Sequence, residues 1–259
     1  MQRRHWISAI ALAAALAVPA GFGFAEETAK DEPKAEQGTE DQAETASSPA
    51  GTKMMVASNI PMFVPPNRGA PPMRLGGATR SARKPAQALP RIEALVPEEP
   101  GWTLEAQPVL YWYLEENTDV ALEFGVQRVD PQKQIVRKRL PRPTRTGIQR
   151  IDLAEYGVKL EPGPIYFWFV KLVPDPNNPE QDKIVGGGIR RVTADSALNA
   201  KLNDPSTSQP HTLASAGMWY DAIDAYSRAI DSNPGDAGLE GQRAALLEQV
   251  DIEIGSTSR

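Results

Sequence analysis

Few residues in this 259-residue chain are equipped for catalysis. It has no cysteine, which excludes disulfides, thiolate metal ligands, a Cys nucleophile and a lipidated Cys. It has two histidines, His5 and His211, and His5 lies in a leader described below. A Ser-His-Asp triad would have to use His211, and a His-rich metal site cannot be built. Carboxylates remain. Glu115, Glu116, Asp119 and Glu123 flank an aromatic run, and two acids across a cleft are what glycoside hydrolysis needs. Adjacent acids at strand ends also serve as turn residues, so no catalytic residue, metal ligand or cofactor is assigned. The other chemical candidate is Gly76-Gly77-Ala78-Thr79-Arg80, whose backbone N–H groups could cradle an anion beside Arg80. No Gly-Lys-Ser/Thr follows at the Walker spacing, and a structural ion pair for Arg80 is the plainer role.

These residues need a scaffold, and the pattern between Ile92 and Val192 supplies one. Asp119 to Gln127 alternates polar or small with apolar, the period of a half-buried strand. Val109-Leu110-Tyr111-Trp112-Tyr113-Leu114 and Ile165-Tyr166-Phe167-Trp168-Phe169-Val170 predict two more strands. Shorter strands are expected at Ile92–Leu95, Gln134–Leu140, Ile148–Leu153 and Lys183–Arg191. Turn residues separate them, as at Asp130-Pro131 and Glu161-Pro162-Gly163-Pro164. Short strands at this spacing predict an antiparallel immunoglobulin-like β-sandwich over 92–193. Two strands are apolar on both faces. Leu110, Trp112 and Leu114 point one way and Tyr111 and Tyr113 the other. Tyr166, Trp168 and Val170 likewise oppose Phe167 and Phe169. A sheet with one wet face does not look like this, so something must cover the second face. The C-terminal helices, a proline-rich arm and a partner are the candidates. A sugar-stacking platform is the sharper alternative to ordinary burial.

From Asp195 the period becomes helical. A short helix around Ala197–Leu202 and another over Thr212–Ala216 precede the clearest one, Trp219–Ser232. Its apolar face is Ala222, Ile223, Tyr226, Ala229 and Ile230, and Asn233-Pro234-Gly235 stops it. A last helix is expected from Leu239 to about Ile252. The mainly β domain is thus followed by a small helical region over 194–254.

The N-terminus reads as an address. Arg3-Arg4 precede the uncharged apolar run Ile7–Pro19, the form of a signal peptide over 1–25. Gly23 and Ala25 fit a cut before Glu26, and a cut after Ala20 is the alternative. The twin arginines have poor flanks for the twin-arginine route, which leaves the ordinary secretory one. Residues 26–58 form an acidic linker too poor in apolar side chains to order itself. Residues 59–91 form a Pro/Arg-rich extended arm. The formal net charge of −5 becomes more negative once Arg3 and Arg4 are removed, which argues against nucleic acid as a partner.

Gly217-Met218-Trp219-Tyr220-Asp221-Ala222-Ile223, with Tyr226, Ala229 and Pro234, resembles the second half of a tetratricopeptide repeat. A first-helix Trp, Leu and Gly are missing. One half-repeat makes a docking hairpin, without the usual superhelical groove. The whole layout resembles a bacterial envelope family, the domain of unknown function number 928. Gly76–Arg80, Tyr111–Leu114, Tyr166–Phe169, Gly187–Val192 and Gly217–Ala222 carry that resemblance. It implies an exported protein of this architecture and no catalytic residue. The expected role is a non-catalytic interaction or structural module of the envelope, periplasmic or secreted, with no stable membrane span once the signal is cut. Its expected partner is an envelope protein, with anionic polysaccharide as the other candidate. Lys133, Arg137, Lys138, Arg139, Arg142 and Arg145 could meet an acidic surface. Arg80, Tyr111, Tyr113, Phe167, Phe169, Trp219 and Tyr220 are the candidate contact residues. A carboxylate-based glycoside-active enzyme or carbohydrate-binding module is the alternative. A solute-binding transport protein would need two α/β lobes, which the pattern lacks.

Overall fold

A computed structural model describes residues 60–76 and 88–255. The expected signal peptide over 1–25, the expected acidic linker over 26–58 and Arg80 lie outside the described residues. Among the described residues eight strands form two sheets. The smaller sheet has the order β1 (Ile92–Ala94), β3 (Val109–Leu114), β6 (Gly147–Asp152), antiparallel throughout. The larger sheet runs β2 (Gly101–Thr103), β8 (Lys183–Arg191), β7 (Ile165–Val173), β4 (Ala121–Arg128), β5 (Lys133–Leu140). Its pairs are antiparallel except β2 with β8, which is parallel, a departure from the all-antiparallel expectation. The reason is local. Pro100 and Gly101 turn the chain onto the free edge of β8, and only three residues pair there.

Four helices follow: α1 (Ser196–Leu202), α2 (Gln209–Ser215), α3 (Trp219–Ser232) and α4 (Ala237–Glu248). Their starts are chemically marked. Asp195 accepts the Leu198 N–H ahead of α1, and Asp236 accepts those of Gly238 and Leu239 ahead of α4. Pro210 occupies the first turn of α2, where its missing N–H costs nothing. None of the helices among the described residues is long and apolar enough to cross a membrane.

One hydrophobic core joins both sheets and the helices. Every residue of β3 is buried, as two apolar faces require. Leu110, Trp112 and Leu114 fill one face. The opposite face is covered by α3 and the chain end. The Tyr111 hydroxyl donates to Asp224 of α3 at 2.8 Å, and Gly255 approaches the Tyr113 hydroxyl. The described part of the arm is also docked. Leu75 forms a two-hydrogen-bond bridge with Gly186 at the edge of β8, and Arg74 reaches the carbonyl of Val250.

Candidate interaction surface

Strand β7 sorts its aromatic residues by parity. Tyr166, Trp168 and Val170 point inward and are buried, while Phe167 and Phe169 stand half-buried on the outer face of the larger sheet. Phe169 sits where neighbouring strands have no side chain, since it pairs with Gly125 on β4 and Gly186 on β8. A Cβ on Gly125 would overlap the Phe169 ring, so the ring lies directly on the backbone of β4. Phe167 pairs with Gly188, which Met73 of the arm and Pro100 approach. The described part of the arm therefore lies along one margin of this face.

The other margin is basic. β5 is the edge strand beyond β4, and Lys133, Arg137, Lys138 and Arg139 on it are all exposed, as are Arg142 and Arg145 beyond it. By the register Arg137 and Arg139 share the face of Phe169, while Lys133 and Lys138 pair with Arg128 and Phe124 on the opposite one. Arg137 binds Glu123 at 2.7 Å and Arg142 binds Asp119 at 2.9 Å. Among the described residues Lys133, Lys138, Arg139 and Arg145 have no ion pair. Between the aromatic and basic zones runs a bridge. Lys171 reaches both Glu123, at 3.3 Å, and the buried Asp182, at 2.9 Å. Burial leaves each ion of that bridge dependent on its partner.

The remaining candidate contacts are used inside the chain. Trp219 is fully buried and its indole N–H donates to the Leu95 carbonyl at 2.8 Å. The Trp168 indole donates to the Tyr220 hydroxyl at 2.9 Å, which donates on to the Gly188 carbonyl at 2.8 Å. Burial raises the Tyr220 hydroxyl far above the ordinary tyrosine range. The Tyr111 hydroxyl is raised too, by burial first and then by the Asp224 carboxylate. Tyr111, Trp219 and Tyr220 thus bind helices to sheets, and Tyr113 is buried beneath Arg91 and Gly255. Phe167 and Phe169 alone among the described candidates offer surface.

The acids weighed for hydrolysis do not converge. Glu115, Glu116 and Asp119 are exposed, and Glu123 is held by Arg137 and Lys171. A separate depression of about 280 Å³ is lined by Arg91, Glu248, Asp251 and Glu253. All three of its acids are solvent-exposed, and Arg91 is engaged by Glu93 and by the Glu253 carbonyl. His211 stands 6.0 Å from the Tyr226 ring. Among the described residues no group of three or more His, Asp or Glu is placed to hold a metal ion.

Sequence reasoning missed two residues. Asp221, in the first turn of α3, accepts the Thr103 hydroxyl and the Leu104 N–H, both at 2.8 Å. Desolvation pushes its carboxyl up to about 7, with Glu105 and Asp224 adding like charge against the two hydrogen bonds. A raised acid holds its proton more tightly in the folded state. Its contribution therefore declines as pH rises from about 4 to about 7 and is constant above that. Asp221→Asn should flatten the stability profile over this window by up to about 4 kcal/mol relative to wild type. Urea midpoints at both ends of the window check this, and parallel profiles would refute it. The second missed residue is Gln249, whose side chain clasps the arm.

No curated protein matches the chain. The family described as Domain of Unknown Function (DUF928) matches residues 75–258, from Leu75 at the sheet edge through all eight strands and four helices. By that match the chain belongs to the DUF928 family.

Proposed function

We propose that this protein is a non-catalytic interaction module of the bacterial cell envelope, which binds a partner protein through the outer face of its larger sheet. The observation that carries this reading is the half-buried pair Phe167 and Phe169 beside the basic edge strand β5, on whose matching face Arg139 has no ion pair among the described residues. Aromatic side chains on a rigid sheet give large contact area at little conformational cost. Export is supported by Arg3-Arg4 before the apolar run Ile7–Pro19, and it gives the module a periplasmic or secreted address. The acidic linker over 26–58 then separates the leader from the folded part.

Phe167→Ser combined with Phe169→Ser tests the partner reading, because both rings lie on the outer face. Cross-linking in intact cells should yield about tenfold less of any complex seen with wild type, at an almost unchanged melting temperature. Undiminished cross-linking would remove the face from consideration.

The cations of β5 favour a second reading, a module for anionic polysaccharide, with Phe169 on its glycine floor as a stacking platform. Retention on an anionic polysaccharide matrix should then fall steeply between about 0.05 M and about 0.5 M salt. Arg137→Glu with Arg139→Glu, both on the Phe169 face, should abolish it. Retention indifferent to salt would leave only the first reading.

A further inference from the structure

The described start of the arm lies across the helical region as a peptide lies in a binding groove. The Gln249 side chain, just past α4, binds the strand backbone twice. Its oxygen accepts the Phe63 N–H at 2.9 Å, and its amide donates to the Pro61 carbonyl at 2.7 Å. The Val64 N–H donates to the Ala214 carbonyl at the end of α2. Phe63 is buried, with its ring edge-on to Trp219 at 4.8 Å between centroids. Its neighbours Ile60, Met62 and Val64 face outward, at 54%, 69% and 38% exposure. The strand thus uses every second residue as an anchor, as extended peptides do.

The floor of the groove is cut to fit. Gly217 has φ +79°, a conformation that side chains resist, and a Cβ there would lie 2.9 Å from both the Val64 carbonyl oxygen and Pro66 Cδ. Only glycine allows both the turn and this approach. Pro61, Pro65 and Pro66 restrict the strand to extended backbone, which lowers the entropy lost on docking. Beyond Pro66 comes a turn at Asn67–Ala70, in which Gly69 has φ +87° and open space around it. The arm is fastened again only at Met73–Leu75. The segment Ile60–Pro66 is therefore a separately held piece with a hinge behind it.

We propose that α2, α3 and Gln249 form a binding groove for an extended Pro-x-Phe-x-Pro strand. The chain's own arm is its resident ligand, and the arm of a second copy takes its place when the resident one is withdrawn. The recognition is chemical. An aromatic anchor fills the space beside Trp219, and a side-chain amide reads one N–H and one carbonyl of the backbone. It is independent of the aromatic sheet face.

A labelled peptide with the sequence of residues 59–68 is the probe, and full-length protein is the receptor. Phe63→Ala frees the groove of its own arm, and this variant should bind the peptide about tenfold more tightly than wild type. Adding Gln249→Ala to it should weaken binding about tenfold, the loss expected for two backbone hydrogen bonds. A peptide carrying Ala in place of its Phe should not bind. Should Phe63→Ala lose its circular-dichroism signal, Phe63→Leu replaces it. Equal binding by wild type and variant, or no binding by a folded variant, would overturn the groove. The second-copy part has its own test. A Gln249→Ala chain has a loosened arm, and a Phe63→Ala chain has an empty groove. Mixed, they should form a heterodimer in sedimentation that neither forms alone. A mixture that stays monomeric would overturn that part even where the peptide binds.

Discussion

Trp219→Ala should lower the stability of the fold by about 3–5 kcal/mol, the loss expected for emptying a fully buried aromatic site. The indole is fully buried at the point where α3, Phe63 of the arm and Leu95, the residue after β1, meet. Truncation removes its packing against Phe63 and leaves a cavity that three separate elements would have to collapse to fill. It also orphans the Leu95 carbonyl, a buried acceptor whose loss of partner costs about 1–3 kcal/mol by itself. Trp219→Phe separates the two effects. It keeps most of the volume and removes the hydrogen bond, so it should cost about 1–2 kcal/mol. Urea midpoints of both variants provide the check. A loss below about 1 kcal/mol for Trp219→Ala would mean that the helical region closes over the gap.

Gly186→Ala should cost about 3 kcal/mol or more, although it adds a single methyl group. The added Cβ would overlap the Trp168 carbonyl oxygen and press on Phe169 Cα, and both are backbone or fixed to it. A side-chain tip can swing away, but a paired strand cannot. The same glycine exchanges both backbone hydrogen bonds with Leu75, so the distortion passes directly to the arm. Gly241→Ala in α4 is the matched comparison. Nothing lies within 4 Å of its new methyl group, and the helix interior favours alanine, so this change should stabilise by about 0.5–1 kcal/mol. Similar losses at both glycines would show that the crowding around Gly186 is relieved by some movement of β8.

Period and turn residues made most elements legible in the sequence. Val109–Leu114, Lys183–Arg191 and Trp219–Ser232 occur with the expected bounds. Strand β2 was invisible because three residues after a proline carry no period, and its pairing is a tertiary choice. The order of strands within each sheet was equally hidden, since alternation reports which face is buried and nothing about neighbours. Two-faced apolarity was read as a need for cover in both β3 and β7, and it holds for β3 but not fully for β7. β3 lies beneath α3 and is sealed, whereas β7 keeps Phe167 and Phe169 half open. Aromatic residues alone do not distinguish these, because the distinction rests on where the helices dock. Gln249 was missed for a similar reason. Its partners Pro61 and Phe63 lie 188 and 186 positions away, and a lone Gln after a helix has no local signature.

Those long separations carry a consequence for biogenesis. Leu95 waits for Trp219, Trp168 for Tyr220, and Phe63 for Gln249. Contacts so distant in sequence form late, because loop-closure entropy opposes them until most of the chain is present. The sandwich therefore has no finished core until the last helix has been synthesised, and its two halves should melt in one transition. A nascent chain of this kind stays open while it is being made. Any secretory channel that threads extended polypeptide would meet it in threadable form, and closure would come after passage.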